Sequence, residues 1–161
     1  MIPILPDWMY HTIEESFTSQ FTVYTANGMP LALPVFLHHF DPDNGICVLS
    51  SDVSAKRIEN VHRNPKVALL FSPTGERASE PPHVLLVHGR AEVDDSDPEH
   101  AWERYFAGWA RRQPSARQSL QKREQMPEYW RRVIIRVRLV RLTGWKNGDY
   151  SQAADVVEVN P

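Results

Sequence analysis

Between residues 50 and 71 the chain reads SSDVSAKRIENVHRNPKVALLF. Ser50 and Ser51 end an apolar run, Ser54 stands where it would cap a helix, and Lys56 and Arg57 fall in that helix's first turn. Free backbone N–H groups and the positive end of a helix dipole meet hydroxyl donors and two cations there, a set of donors suited to a phosphate group. A plainer reading uses the same residues: Ser54 only caps the helix, and both basic side chains point into water.

Other chemistry-bearing residues do not gather in this way. His38 and His39 are adjacent on an extended run and so point to opposite faces, while His62, His83, His88 and His100 are scattered, an arrangement that argues against a structural zinc site. Cys47 is the single cysteine, so no internal disulfide forms; within Ile46-Cys47-Val48-Leu49 it reads as a buried, inert thiol. No glycine-rich phosphate loop, Ser/His/Asp grouping or carboxylate pair stands out, and no side chain is assigned as a catalyst or metal ligand. The formal charge of −2 argues against general nucleic-acid or membrane affinity. The N-terminus lacks a signal-peptide pattern, no run approaches the ~18 apolar residues of a membrane span, and a cytoplasmic protein is expected.

The elements that must position the serine-rich turn can be read from periodicity. At 161 residues without a repeat or linker, one domain is expected over residues 1–161. A short helix is predicted over Pro6 to Glu15. Phe21 to Thr25 alternates as a strand, and Asn27-Gly28 marks a hairpin because both residues tolerate positive φ. The apolar run from Leu31 to Phe40 contains Pro34, which points to an edge or a bulge. Ile46 to Ser50 is a third strand. Asn64-Pro65 ends the basic helix, and Lys66 to Phe71 reads as a strand buried on both faces. Leu85, Val87, Gly89, Ala91 and Val93 share one face of the next strand.

Asp97-Pro98-Glu99 reads as a helix start, and Trp102, Tyr105, Phe106 and Trp109 form one aromatic stripe, predicted as core or dimer interface. Ser115 to Gln125 is a weakly anchored, exposed helix, so residues 97–130 form a helical insert. Val133 to Trp145 closes the set, with a phase slip near Val140 that suggests a bulge and with Arg136 and Arg138 on the face opposite the apolar one, predicted as solvated. A mainly β fold with peripheral helices results, and antiparallel strands with little room for crossovers favour a closed barrel.

From about Phe17 to Trp145 these parts, in this order, resemble the pyridoxamine-5′-phosphate oxidase-like family of flavin- and deazaflavin-binding split barrels. The resemblance is carried by Asn27-Gly28-Met29-Pro30, Leu33-Pro34-Val35-Phe36, the serine-rich turn, Asn60-Val61, Asn64-Pro65, VALLF and His88-Gly89-Arg90-Ala91-Glu92-Val93. It implies a six-stranded antiparallel split β-barrel over about 17–145 with a C-terminal tail over 146–161. It also implies a homodimer with cofactors in the clefts between subunits. The ring of flavin mononucleotide (FMN) would rest against Leu33, Pro34, Val35 and Phe36, and its phosphate would lie at Ser50, Ser51 and Ser54, near Asn60. The basic position stays open between two neighbours: counting back from Asn64-Pro65 selects Arg57, and counting forward from the serines selects Lys56. Helix periodicity favours Arg57. Trp145 stands where relatives place an aromatic against the partner's flavin, although plugging the barrel end would equally explain it.

One departure matters. Residues after Trp145 contain no Arg or His, where the vitamin-oxidising members carry an Arg-Leu-His-Asp-Arg-like segment, so a different small-molecule substrate is expected. The activity implied is flavin-mediated hydride or electron transfer. The alternatives are a deazaflavin-dependent reductase and a non-catalytic flavin- or haem-binding protein, with His38 or His39 as the haem ligand.

Overall fold

The computed structural model describes residues 5–51, 55–72 and 81–159. Ser54 lies outside them. The first helix, α1, spans Asp7–Glu15 and buries Met9 and Ile13. Strands β1 (Ser19–Tyr24) and β2 (Pro30–Val35) form the expected hairpin, with Gly28 at φ 79° in its turn. Strands β3 (His38–Asp41) and β4 (Gly45–Ser51) form a second hairpin. Helix α2 (Ala55–Arg63) leads into β5 (Lys66–Phe71), β6 (Val84–Asp94) and, after the helical insert, β7 (Arg132–Trp145). All pairings are antiparallel, in the order β2-β1-β5-β6-β7-β4-β3.

That order carries the closure of the barrel. β2 and β3 lie at opposite ends of the sheet path, yet only Phe36 and Leu37 join them. Three Cα–Cα steps span at most about 11 Å, so the two edges must curl toward each other. The Leu49 N–H donates to the Leu37 carbonyl at 2.8 Å and ties the link to β4. The curl wraps one apolar core that includes Phe21, Leu69, Phe71, Leu85, Ile135 and Leu142. A split β-barrel results. Pro34 sits in an edge strand, where its missing N–H costs no ladder bond.

The sheet has eight strands among the described residues. The predicted Leu31–Phe40 strand is two, broken at the link, and the tail adds β8 (Asp155–Glu158) against Arg141–Gly144 of β7. β4 pairs with β7 only up to Val137, so the far half of β7 has an open edge that β8 fills. The bulge falls where the phase slip indicated: His88 faces Arg141 and Gly89 faces Leu139, leaving Val140 over. A Cβ on Gly89 would lie 2.4 Å from a Val137 methyl, so the close approach requires glycine.

Two expectations are corrected. β5 is not buried on both faces: Leu70 is 38% exposed. The strand buried on both faces is β4, because the insert packs on its outer side, around Cys47 and Leu49. Regular helix also starts later than Asp97. The Trp102 indole donates to the Glu99 carbonyl at 2.8 Å, the acceptor an α-helix would give to Glu103, and the Glu103 N–H bonds to His100 instead. Turns and a 3₁₀ segment (Glu103–Tyr105) therefore precede α3 (Phe106–Arg112), which is followed by α4 (Ser115–Gln121) and α5 (Pro127–Trp130).

Trp130 joins the predicted stripe, with its ring 4.7 Å from Trp102 and 5.1 Å from Trp109. Truncating Trp130 to Ala should cost about 3–5 kcal/mol in urea denaturation if this cluster packs as one unit. A loss under about 1 kcal/mol would show that it does not.

His38 is fully buried, and its Nε2 donates to the Ile13 carbonyl at 2.9 Å. Burial and the nearby Arg112 lower its pKa from 6.5 to about 3. The folded state therefore excludes a proton that the unfolded chain takes up below pH 6.5, so this contribution to stability is complete above 6.5 and is lost as pH falls toward 3. Between about pH 6.5 and 5, above the carboxylate range, the stability of His38→Gln should fall less steeply than that of the parent. Parallel slopes would contradict the assignment.

Candidate functional site

A cleft of about 340 Å³ opens at the seam of the barrel. Pro34 and Val35 of β2 and the Phe36-Leu37 link form one wall. Leu49 and Ser51 of β4 and Arg57 of α2 form its base. Phe17, between α1 and β1, stands at the rim, and the insert side contributes Gln113, Tyr129 and Arg132, the first residue of β7. Among the described residues, no carboxylate lines the cleft.

Arg57 is the most distinctive group. Its Nη1 donates to Ser50 Oγ at 3.1 Å, and its Nε is buried without a hydrogen-bond partner. Burial lowers its pKa, but guanidinium starts so high that it keeps its charge near neutrality. A desolvated cation with an unused donor, and no carboxylate among the described lining residues, suits an anionic ligand. Ser51 and Arg132 are cross-strand partners, so the hydroxyl and the second guanidinium share one face of the sheet. Arg132 lies over the Tyr129 ring at 4.6 Å, a cation–π contact between two residues of the cleft lining.

Gln113 caps α3. The Trp109 indole, which can only donate, gives its hydrogen to Gln113 Oε1 at 3.0 Å. The amide orientation is thereby determined, and –NH₂ is what Gln113 offers at the cleft.

The structure thus brings Pro34, Val35, Phe36, Ser51 and Arg57 together, with Ser50 joined through Arg57. Lys56, one position earlier on the helix, is exposed and does not line the cleft. Leu33 and Asn60 do not line it either. Leu33 lies one residue further from the Phe36-Leu37 link than Pro34, and Asn60 is buried with its Oδ1 accepting from Arg63 at 2.8 Å. Trp145 lies at the far end of β7 from Arg132, its ring 5.4 Å from Tyr150, and borders a separate cavity with Lys146 and Asn147.

Phe17, Leu37, Leu49, Gln113, Tyr129 and Arg132 were not anticipated. Gln113 alone had a local signal, since it follows Trp109 by four positions and continues the aromatic stripe. Elsewhere, Arg136 pairs with Asp94, and Arg138 is exposed near Glu92. Cys47 is buried beneath the Tyr105 hydroxyl, and burial pushes its thiol up. Among the described residues, no group of three or more His, Cys, Asp or Glu could hold a metal ion, and no helix is long and apolar enough to cross a membrane.

The fold is shared with solved structures. A conserved hypothetical protein from Mycobacterium tuberculosis superposes with a TM-score of 0.67 at 17% identity, covering 98% of this chain and 94% of that one. A heme binding protein from Mycobacterium smegmatis matches with a TM-score of 0.61 at 15% identity, over 96% of this chain and 59% of that one. An F420 reductase matches with a TM-score of 0.56 at 18% identity, over 83% and 94%. No curated protein matches in sequence. A family model does: pyridoxamine 5′-phosphate oxidase, over residues 11–146. With most of its length matched, the chain belongs to the pyridoxamine 5′-phosphate oxidase family.

Proposed function

We propose that this chain binds FMN in the seam cleft and works as a flavin-dependent oxidoreductase on a small molecule. The observation that carries the proposal is Arg57: a half-buried guanidinium with an unpartnered Nε, in a cleft with no carboxylate among its described lining residues. Arg57 and the Ser51 hydroxyl would grip the phosphate, and Pro34, Val35 and Phe36 would support the ring. Gln113 would donate to a ring carbonyl, while Phe17 and Phe36, paired edge-on at 5.8 Å, would keep water from its edge. When bound, a flavin supplies the hydride or electron transfer itself, so the chain's own residues bind, orient and exclude solvent.

Phe17 and Phe36 are 45% and 49% exposed, and a second copy covering them would complete a homodimer with the cofactor at the subunit interface.

A deazaflavin-dependent reductase is the second reading. It is favoured by Arg132 beside Arg57, since two cations suit a longer anionic tail, and by the likeness to an F420 reductase. Haem has less support here: His38 is buried and already bonded to Ile13, although one structural neighbour is described as heme binding.

Titrating the purified chain with FMN and riboflavin tests the phosphate assignment. Arg57→Ala should weaken FMN binding about a hundredfold while barely changing riboflavin binding, as loss of a charge-assisted contact predicts. Lys56→Ala should change either by no more than about threefold. Equal FMN affinity in Arg57→Ala and the parent would sink the assignment. Bound flavin that no nicotinamide or other donor reduces would mark the chain as a carrier.

A further inference from the structure

Glu14 is a buried carboxylate with no part in the cleft, and three chain segments converge on it. Its side chain is 7% exposed. Oε1 accepts the Phe40 N–H at 2.9 Å, and Oε2 accepts from Arg111 Nη2 at 3.1 Å. Arg112, also buried, places Nη1 3.8 Å from Oε2, donates from the same nitrogen to the Glu14 backbone carbonyl at 3.4 Å, and donates from Nη2 to the His38 carbonyl. One ion-pair cluster therefore fastens the end of α1, the start of β3 and the last turn of α3.

Each of these segments runs straight into a cleft wall. Phe17 lies three residues after Glu14, Leu37 immediately precedes His38, and Gln113 immediately follows Arg112. A buried ion pair adds little net stability over well-packed apolar side chains, so burial alone gives no reason for this arrangement. Registration of the three segments does. The Trp109–Trp130 packing holds α3 against the outer face of the sheet, and the Glu14–Arg112 contact holds its C-terminal end toward the seam.

We infer that Glu14 is a positioning residue for the cleft, acting through Arg112 to hold the turn that presents Gln113. The consequence for ligand binding rests on the FMN reading; the positioning itself does not. Glu14→Gln keeps the side-chain volume and an acceptor for the Phe40 N–H but removes the charge that holds Arg112. Arg112→Lys keeps the charge and removes the planar fork.

The test uses the full chain, with the glutamine side-chain amides and tryptophan indoles observed by NMR, and the Gln113 signal identified by its loss in Gln113→Ala. In both Glu14→Gln and Arg112→Lys, the Gln113 amide and Trp109 indole resonances should shift or broaden, while the Trp102 indole, held by Glu99, stays in place. Unchanged Gln113 and Trp109 resonances in folded variants would overturn the inference, whether or not flavin binds. In FMN titrations Glu14→Gln should weaken binding about tenfold, the worth of one hydrogen bond. In a Gln113→Ala background it should add no more than about twofold, because both changes remove the same contact. Penalties that multiply would show that Glu14 acts by some other route and would also overturn it. A parent chain that binds no FMN would refute the cofactor reading alone, since the resonances report on positioning by themselves.

Discussion

The two-residue link from Val35 to His38 is the constraint on which the rest of the molecule depends. It joins strands at opposite ends of the sheet path, and its short reach leaves the sheet no choice but to curl. The seam so formed is not sealed by backbone pairing, because β2 and β3 do not pair with each other. The cleft opens at this seam. Pro34 suits it, having no N–H to leave unpaired along the open edge.

Charge is sorted around the seam in two ways. In the cleft, Arg57 and Arg132 stand among hydroxyl, amide and aromatic groups of the described residues. Behind it, the buried Arg112 is matched by Glu14 and by the His38 carbonyl. In the first, the Arg57 Nε is a donor facing the cleft region, whereas in the second both terminal nitrogens of Arg112 bond to backbone carbonyls within the fold. The insert connects the two, since Arg112 and Gln113 are neighbours in sequence but face a carboxylate and the cleft respectively.

Much of the fold could be read directly from the chain. The Asn27-Gly28 hairpin, the bulge at Val140, the aromatic stripe and the end of α2 at Asn64-Pro65 all follow from local rules: turn residues, periodicity, and proline sterics. Burial was less legible. Lys66–Phe71 is apolar throughout, yet Leu70 is exposed, because which strand the insert covers depends on packing between distant segments. The β8 pairing was hidden for a similar reason. Asp155–Glu158 is short, and it becomes a strand only because β4 leaves half of β7 open.

The candidate site divides along the same line. The amino-acid sequence by itself determined the serine-rich turn, the apolar run around Pro34 and the choice of Lys56 or Arg57, since these depend on neighbours within a helical turn or a strand. Only the tertiary structure set the two cations apart in place, because one step along a helix rotates a side chain by about 100° and sends Arg57 to the cleft and Lys56 to solvent. It also decided that Gln113, Tyr129 and Arg132 meet Arg57. They arrive from a segment more than fifty residues away in the chain, and no spacing rule reaches that far. Closure of the sheet brings them together.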